Sequence, residues 1–341
     1  MVKAQVLEKN IFPQKENRIL NYILYLSFLV LLVFFSITKI SGEDDYFWHI
    51  ASGRYIAEHI SVPSTDVFGY VTYGQPWIPF EWGWDVITYL IFNLSGYTGI
   101  YVFKVLLILL IFLLFYKILD KFNVSVSIKI VFLLIFCWGT LFRFSIRPHL
   151  ISYLCFVILL NIIISYKYFN RKNHKILYYL PVIFLLWANF HMGVIAGILL
   201  LSVFLINETI IYFLPKRFLG IHPFGTANEI PPLSKNDLLR LVILFVVSLA
   251  VLFANPNHIN TFKYVYSFSQ LKLVKEIGEW KSPFDSSYSG SLAMIVYKIY
   301  LGLGVFALYY SYKKKDLLAF LIVVTFALYS LRATRFTTIA F

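Results

Sequence analysis

The sequence predicts an all-α fold, a polytopic bundle of transmembrane helices, from three observations. Hydrophobic residues make up 60% of the chain and charged residues only 14%, whereas soluble domains carry roughly 25% charged residues. The apolar residues occur in runs close to the length of about 20 residues that a helix needs to cross a bilayer. Lys and Arg cluster in short loops between these runs, which is how membrane proteins fix their orientation.

The apolar runs predict about nine spans, near residues 19–40, 98–116, 126–142, 149–166, 176–190, 193–214, 238–254, 291–312 and 317–331. The first run follows the basic residues Lys3, Lys9, Lys15 and Arg18, as in a signal peptide. It exceeds the roughly 7–15 apolar residues of a signal peptide core. We therefore expect it to remain as the first transmembrane helix.

The basic loops predict the orientation of these spans. With the N-terminus in the cytoplasm, the cytoplasmic loops are the ones rich in Lys and Arg, including Lys313, Lys314 and Lys315. This arrangement obeys the positive-inside rule. In the same orientation the tryptophans, among them Trp48 and Trp280, lie in or next to the outer half of the protein.

The chain is predicted to form a single transmembrane domain over residues 1–341, with a membrane core at 19–331 and two long outer segments. These segments, 41–97 and 255–290, are rich in Trp, Tyr and Phe, which disordered segments lack. We expect both to fold against the membrane, with a short interfacial helix over 81–94. The apolar pattern does not look finished at Phe341, so we expect further chain beyond it in the natural protein.

Several function classes are excluded by the sequence. The net charge of +13 comes from loop clusters and not from one face of a soluble domain, so we expect no nucleic-acid partner. Cys137 and Cys155 lie inside apolar runs and have no metal-binding spacing, so we interpret them as small buried hydrophobes. Walker, GxGxxG, HExxH and GxSxG motifs are missing, which argues against a soluble nucleotide as donor.

An acidic cluster follows the first span and is the densest group that could carry chemistry. It comprises Glu43, Asp44 and Asp45, with His49 one helical turn after Asp45. An Asp here could act as a general base, with His49 orienting it or contacting a phosphate. The alternative is an acidic N-cap that stabilises a helix through its dipole.

A basic group is predicted on the outer side, against the positive-inside rule. It comprises Arg143, Arg147, His149, Arg332 and Arg335. Arg is suited to bidentate phosphate binding, and the alternative is snorkelling to lipid headgroups. If the phosphate role is correct, we expect Arg143, Arg147 or Arg335 to lie within direct or one-water reach of the acidic loop.

The pattern of the first outer loop resembles a known family. Asp45, Trp48, His49, Gly53, Pro63, Asp66, Trp77, Glu81 and Trp82 resemble the D-x-x-W-H…G…P…D…W…E-W loop of bacterial GT-C-type membrane glycosyltransferases. The motifs Arg147-Pro148-His149, Trp187 to His191, Asn255-Pro256 and Glu279-Trp280 are also similar. The resemblance extends from about Asp45 to Arg335.

The resemblance implies an enzyme of the bacterial plasma membrane that transfers a sugar from a polyprenyl-phosphate donor. Asp45 would be the general base, with Asp44 as the alternative and His49 beside it. The substrate-binding residues would be Glu81, Arg143, Arg147, His149, His191, Glu279, Trp280, Arg332 and Arg335. A divalent metal, Mg²⁺ or Mn²⁺, at Asp44 and Asp45 is compatible with this chemistry but not required by it.

The resemblance leaves the acceptor open, so that a glycan, a lipid or a protein would serve. Membrane lipids would surround the enzyme and carry its donor. Two other interpretations remain at this point. The chain could be a polymerase or ligase of lipid-linked glycans, or a transporter or flippase without chemistry. The carboxylates outside the predicted membrane core favour surface chemistry over a transport path.

Overall fold

A computed structural model describes residues 18–37, 45–214 and 232–340. Its helices are α1 (Arg18–Ile37), α2 (Asp45–His59), α3 (Trp82–Lys121), α4 (Val126–Thr140), α5 (His149–Ile164), α6 (Tyr179–Phe190), α7 (Val194–Phe213), α8 (Lys235–Ala250), α9 (Ile259–Gln270), α10 (Leu292–Lys314), α11 (Leu317–Leu331) and α12 (Thr337–Ala340). The described residues contain no β-strand, only an isolated bridge between Thr65 and Pro76. The predicted all-α fold is therefore confirmed.

Seven of the described helical segments are long and apolar enough to cross a membrane. They correspond to α1, α3, α4, α5, α7, α8 and α10, some of them extended by a short 3₁₀ or π turn. Helix α11 is apolar but shorter, and α6 has 12 residues. A multi-pass membrane protein follows from these helices, while the predicted number of nine spans remains a prediction.

Helix α3 differs from the short interfacial helix predicted over 81–94. It continues for 40 residues from Trp82 to Lys121, with a break in helical geometry at Gly96. Gly96 has φ 58° and ψ −151°, a conformation that side chains with a Cβ rarely adopt. The predicted outer helix and the predicted span at 98–116 are therefore two arms of one helix joined at a glycine kink.

Helix α5 lies at the centre of the core because it contributes to both hydrophobic clusters. On one side Leu159 and Ile163 pack with α6, α7, α8 and α11. On the other side Leu150 and Val157 pack with α1, α3, α4 and α10. Near the N-terminal end of α5, Ile151 packs against both clusters.

Helix α2 packs closely against the outer arm of α3. A Cβ atom added at Gly53 would lie 1.9 Å from the carbonyl oxygen of Asp85, so the two backbones approach as only glycine allows. The segment after α9 is folded in short 3₁₀ turns. It is tied to the chain end by a hydrogen bond of 2.9 Å from Thr334 N to Lys281 O. Both outer segments are therefore folded where the structure describes them.

The end of the bundle opposite α2 buries a charged group, which we name the Lys167 trio. Glu208 on α7 accepts a hydrogen bond of 2.6 Å from Lys167 Nζ and pairs with Arg171 through its other oxygen. The side chain of Glu208 is 0% exposed. Burial of such a carboxylate is tolerable because two cations and the amide of Asn207 contact it.

Candidate functional site

Asp45, the predicted general base, begins α2 near the surface. Its Oδ2 atom lies 2.9 Å from Nη2 of Arg147, and its side chain is 59% exposed. One of the three arginines expected within reach of the acidic loop therefore contacts it directly. Asp44, the predicted alternative, lies outside the described residues.

His49 forms a buried pair with Asp85 of α3. His49 Nδ1 lies 2.7 Å from Asp85 Oδ1, and Ser52 donates a hydrogen bond of 2.7 Å to Asp85 Oδ2. Burial lowers the pKa of His49, but the hydrogen bond and charge of Asp85, with the charges of Glu81 and Asp45, raise it above its ordinary value. Asp85 therefore holds His49 in one orientation and favours its charged form.

Glu81 immediately precedes α3 and faces His191 in the turn between α6 and α7. The distance from Glu81 Oε1 to His191 Nε2 is 3.6 Å. Burial raises the pKa of Glu81 to about 7, and the charges of Asp85 and Asp45 also raise it, while those of His49 and Arg335 oppose the shift. A carboxyl group with a pKa near 7 can both accept and release a proton at neutral pH.

His191 is held by a chain of hydrogen bonds behind it. Its Nδ1 accepts a bond of 3.0 Å from the backbone N–H of Gly193 and lies 2.7 Å from Ser152 Oγ. The Trp187 indole donates to the same Ser152 oxygen at 2.7 Å, so the serine hydroxyl has its proton free for His191. The Nε2 atom of neutral His191 then carries the hydrogen that faces Glu81.

Arg143 lies just after α4 and is buried among polar partners. Its Nη1 donates to Glu279 Oε2 at 2.8 Å, and its Nε donates to Tyr153 Oη at 3.3 Å. His149 donates from Nε2 to the Arg143 carbonyl oxygen at 2.8 Å, which leaves His149 Nδ1 to accept from Arg143 Nη2 at 3.3 Å. The guanidinium is thereby fixed in one plane.

Arg335 lies beside Arg143 because Glu279 contacts both. Its Nη1 is 3.5 Å from Glu279 Oε1, and its guanidinium carbon lies 4.3 Å from the centre of the Trp280 ring. Burial raises the pKa of Glu279. The charges of Arg335 and Arg143 lower it by more than burial raises it, so the pKa of Glu279 lies below its ordinary value. Glu279 is therefore an anion that holds two arginines together, and we name this group the Arg143 trio.

These side chains surround a cavity of about 200 Å³, which we name the polar cavity. Its wall includes Glu81, Arg143, His149, His191, Trp280 and Arg335. Six of the residues predicted from sequence as substrate-binding are thus brought together from distant parts of the chain. Five other predicted site residues do not line it: Asp45, His49, Arg147, Glu279 and Arg332.

A larger apolar cavity of about 630 Å³ lies next to the polar cavity. Its wall comes mainly from α5, α10 and α11 and consists largely of aliphatic and phenylalanine side chains. Tyr153 and Ile339 line both cavities. The two cavities together present a charged compartment adjoining a hydrocarbon-like one, which matches the shape and polarity of a lipid with an anionic head.

The described residues do not form a cluster of metal ligands. Within 18–37, 45–214 and 232–340, no group of three or more His, Cys, Asp or Glu side chains is placed to hold a metal ion. The Asp45 carboxylate is paired with Arg147. Asp44, the other predicted ligand, lies outside the described residues, so a Mg²⁺ or Mn²⁺ site at Asp44 and Asp45 stays a prediction, and no step below runs through a metal.

Comparison with known proteins finds no matching family model, no similar characterised protein and no similar solved structure. The likeness to GT-C-type glycosyltransferases therefore rests on the loop and turn motifs alone. The geometry of the two cavities is the structural feature that bears on function.

Sequence reasoning missed three residues of this region: Asp85, Ser152 and Tyr153. Asp85 lies four residues after Glu81, and Ser152 lies three residues after His149. Residues at these spacings share one face of a helix. Tyr153 lies four residues after His149, so extending each predicted polar position by one helical turn would have indicated all three residues. Only the place of Tyr153 between two cavities has no sequence signal.

Proposed function

We propose that this chain is a membrane glycosyltransferase that takes a sugar from a polyprenyl-phosphate donor. The observation that supports this proposal is the polar cavity adjoining the apolar cavity across Tyr153. A polyprenyl-phosphate sugar has an anionic head and a long hydrocarbon tail. Its phosphate would occupy the polar cavity, and the first isoprene units would occupy the apolar one.

Arg143 and Arg335 would bind the donor phosphate. Both line the polar cavity, and arginine matches phosphate oxygens bidentately. When the bond from the sugar to the phosphate breaks, negative charge grows on the phosphate oxygens. Two preorganised guanidinium groups in a partly buried site stabilise that charge, so the leaving group needs no acid.

The aromatic wall of the polar cavity would receive the sugar. Trp280 and Phe336 flank Arg335, and Tyr264 and Phe268 come from α9. Aromatic rings present broad apolar faces against which the C–H face of a sugar can pack. The Glu81 end of the bundle is the outer end in the predicted orientation, so the transfer would take place outside the cytoplasm.

Two carboxylates are candidates for the general base. Asp45 is the sequence prediction and remains one, although it lies outside the lining of the polar cavity. Glu81 lines the cavity. The donor proposal does not depend on which of the two acts.

The test separates donor binding from sugar transfer. Purified protein in lipid nanodiscs is titrated with a radiolabelled short-chain polyprenyl phosphate, and proteoliposomes are then given polyprenyl-phosphate sugars with an envelope extract as the source of acceptor. We expect saturable binding of the polyprenyl phosphate and, with donors radiolabelled in the sugar, loss of label from the donor. Arg143→Gln and Arg335→Gln should weaken binding, while Arg54→Gln, an exposed surface arginine paired with Glu58, should not.

Two results would contradict the proposal. A wild-type protein that binds no polyprenyl phosphate has no lipid-phosphate site in the polar cavity. A protein that moves the donor across the bilayer without releasing its sugar is a flippase, the rival from the sequence.

A further inference from the structure

We propose that Glu81, and not Asp45, takes the proton of the acceptor hydroxyl, and that the buried pair of His49 and Asp85 is the positioning device behind it. This inference rests on the proposed function and assigns its proton acceptor. Three observations carry it: the place of Glu81 in the polar cavity, the fixed orientation of His191 against it, and the buried contacts that connect α2 to α3.

The first observation concerns access to the cavity. Among the described residues that line the polar cavity, Glu81 alone carries a carboxylate. The arginines that would hold the donor phosphate line the same space. Asp45 is outside this lining, its side chain is mostly exposed, and one of its oxygens is paired with Arg147. An acceptor hydroxyl aligned with the donor would therefore meet Glu81.

The second observation is that His191 can orient Glu81 but is badly placed to take the proton itself. Burial lowers the pKa of His191 well below its ordinary value, and the positive charges of Arg335 and Arg143 lower it too. Its Nδ1 already accepts from Gly193. His191 Nε2 is left as a donor that faces Glu81 Oε1 at 3.6 Å.

The third observation is a rigid path from Asp85 to the start of α3. Asp85 is one helical turn after Glu81, and it accepts bonds from Ser52 and His49 at 2.7 Å each. Gly53 lets α2 approach the Asp85 backbone at that level. The first turn of α3 is therefore held against α2, and the Asp85 contact to Nδ1 of His49 fixes the orientation of the imidazole ring.

The charge around Glu81 comes from several elements. The groups that face it are His49 and Asp45 of α2, Asp85 of α3, His191, Tyr264 of α9 and Arg335. The two cations among them favour the carboxylate, and the two aspartates favour the protonated acid. Among these charges, that of His49 has the largest effect on the pKa of Glu81. His49 is therefore the group to remove in a test.

The proposed sugar transfer forms two bonds and breaks two. The acceptor oxygen forms a bond to the anomeric carbon as its O–H bond breaks, and the proton passes to Glu81. The bond between the anomeric carbon and the phosphate oxygen breaks at the same time, and its electron pair leaves with polyprenyl phosphate beside Arg143 and Arg335. Glu81 then releases the proton to solvent and is ready for the next acceptor.

The experiment compares the pH profiles of sugar transfer for a set of variants. The wild type should gain activity as the pH rises through about 7, because the base must be ionised. Glu81→Gln should lose roughly 10²–10⁴-fold in rate while it still binds polyprenyl phosphate. Asp45→Asn should keep at least about tenfold more activity than Glu81→Gln, since a base contributes more than a neighbouring charge. Glu58→Gln, the same change on the exposed face of α2, is the matched control and should behave as wild type.

Two variants test the mechanism behind the loss. His49→Gln should move the rise in activity to higher pH, because the cation that favours the ionised form of Glu81 is gone. Glu81→Asp keeps the carboxylate and should retain a pH-dependent rise at reduced rate. This variant decides the question if Glu81→Gln fails to fold.

The possible failures can be told apart. If Glu81→Gln turns over at the wild-type rate, or if Asp45→Asn is the more damaging change, the inference is overturned and the donor proposal stands. If the wild type binds no polyprenyl phosphate, the donor proposal is overturned, and the role of Glu81 must be tested without a donor. Infrared titration then decides whether a carboxyl band that titrates near pH 7 disappears in Glu81→Gln; without such a band, Glu81 is not the proton-exchanging group of the cavity.

Discussion

The two ends of the bundle each hold one glutamate between two basic side chains, but with different surroundings. In the Lys167 trio, Glu208 is 0% exposed and Lys167 is 1% exposed, and neither residue lines the polar or the apolar cavity. In the Arg143 trio, Glu279 is 31% exposed, and both arginines line the polar cavity. The Lys167 trio is therefore enclosed by packing, whereas the arginines of the Arg143 trio face a cavity large enough for a ligand.

This difference shows that a buried ion pair alone does not indicate a functional site. The Lys167 trio joins α5 to α7 and neutralises a carboxylate that membrane burial would otherwise penalise. The Arg143 trio has, in addition, an adjoining cavity, aromatic walls and a second carboxyl group, Glu81, within the same space. These features make it a candidate for binding an anion.

The largest expected difference between the two ends is in labelling from outside the cell, because the two ends are predicted to lie on opposite sides of the membrane. In the predicted orientation, Tyr70→Cys, at a fully exposed position in the outer loop, should react with an impermeant maleimide in intact cells. Lys313→Cys should react only after the cells are opened. Cys137 and Cys155 are buried, so background labelling should be low. Labelling of Lys313→Cys in intact cells would invert the assignment of outer and inner ends.

The next contrast is in stability. Glu208→Gln removes the carboxylate that neutralises Lys167 and Arg171, and leaving buried charges unpaired costs about 3–5 kcal/mol. Glu279→Gln should cost less than half of that because Glu279 is 31% exposed, whereas Glu208 is 0% exposed. Denaturant unfolding of both variants in a non-ionic detergent measures the difference. Equal losses would mean that the Arg143 trio is as structural as the Lys167 trio.

Removal of Arg143 should affect binding more than folding. A hydrogen bond to a charged group contributes about 1.5–3 kcal/mol, so Arg143→Gln should weaken polyprenyl phosphate binding roughly tenfold to hundredfold. Arg171→Gln, the corresponding change at the other end, should lower stability and leave the affinity of the folded protein unchanged. Binding isotherms in nanodiscs check both variants, and a loss of affinity in Arg171→Gln would contradict the division between the two trios.

A smaller effect is expected at Trp280, whose ring lies under Arg335. A cation–π contact of this kind contributes about 0.5–1 kcal/mol at exposed sites, so Trp280→Leu should weaken donor binding roughly twofold to fivefold. Trp77→Leu replaces a tryptophan of the first outer loop that packs on Trp48, away from the polar cavity. Donor affinity in this control should not change.

The smallest effect is a pH dependence of stability at Glu279. The folded-state pKa of Glu279 lies below its ordinary value of 4.5. Its stabilisation is therefore fully present above pH 4.5 and is lost as the pH falls through the folded-state pKa. The difference in thermal stability between wild type and Glu279→Gln should shrink as the pH falls from 6 to below 4. A difference that grows with acidification would mean that Glu279 binds its proton more tightly in the folded state.

The sequence predicted much of the fold because an apolar run of about 20 residues is the pattern of a membrane-spanning helix. It placed the helices and predicted the burial of Cys137 and Cys155, which is confirmed. It also suggested Arg143, His191 and Glu279 as binding residues, since polar side chains at predicted span ends need partners. It could not show that Arg143 and His191 line one cavity, or that Glu279 holds Arg143 in place beside it.

The rest depended on packing, which sequence periodicity does not record. Asp45 looked central because it lies in the densest acidic cluster, yet its neighbour in space is Arg147. Arg332 was grouped with Arg335, but only Arg335, in the short 3₁₀ turn after α11, lines the polar cavity. Whether a polar residue faces a cavity or the surface depends on helix rotation and on contacts between distant segments.

The shared wall at Tyr153 has a practical consequence for handling the protein. A single-chain surfactant with an anionic head, such as a long alkyl sulfate or a fatty acid, has the same two parts as a ligand that would occupy both cavities at once. Such molecules would compete with a lipid ligand during extraction. Affinity measurements are therefore best made in neutral lipid discs, with the choice of solubilising agent treated as an experimental variable in its own right.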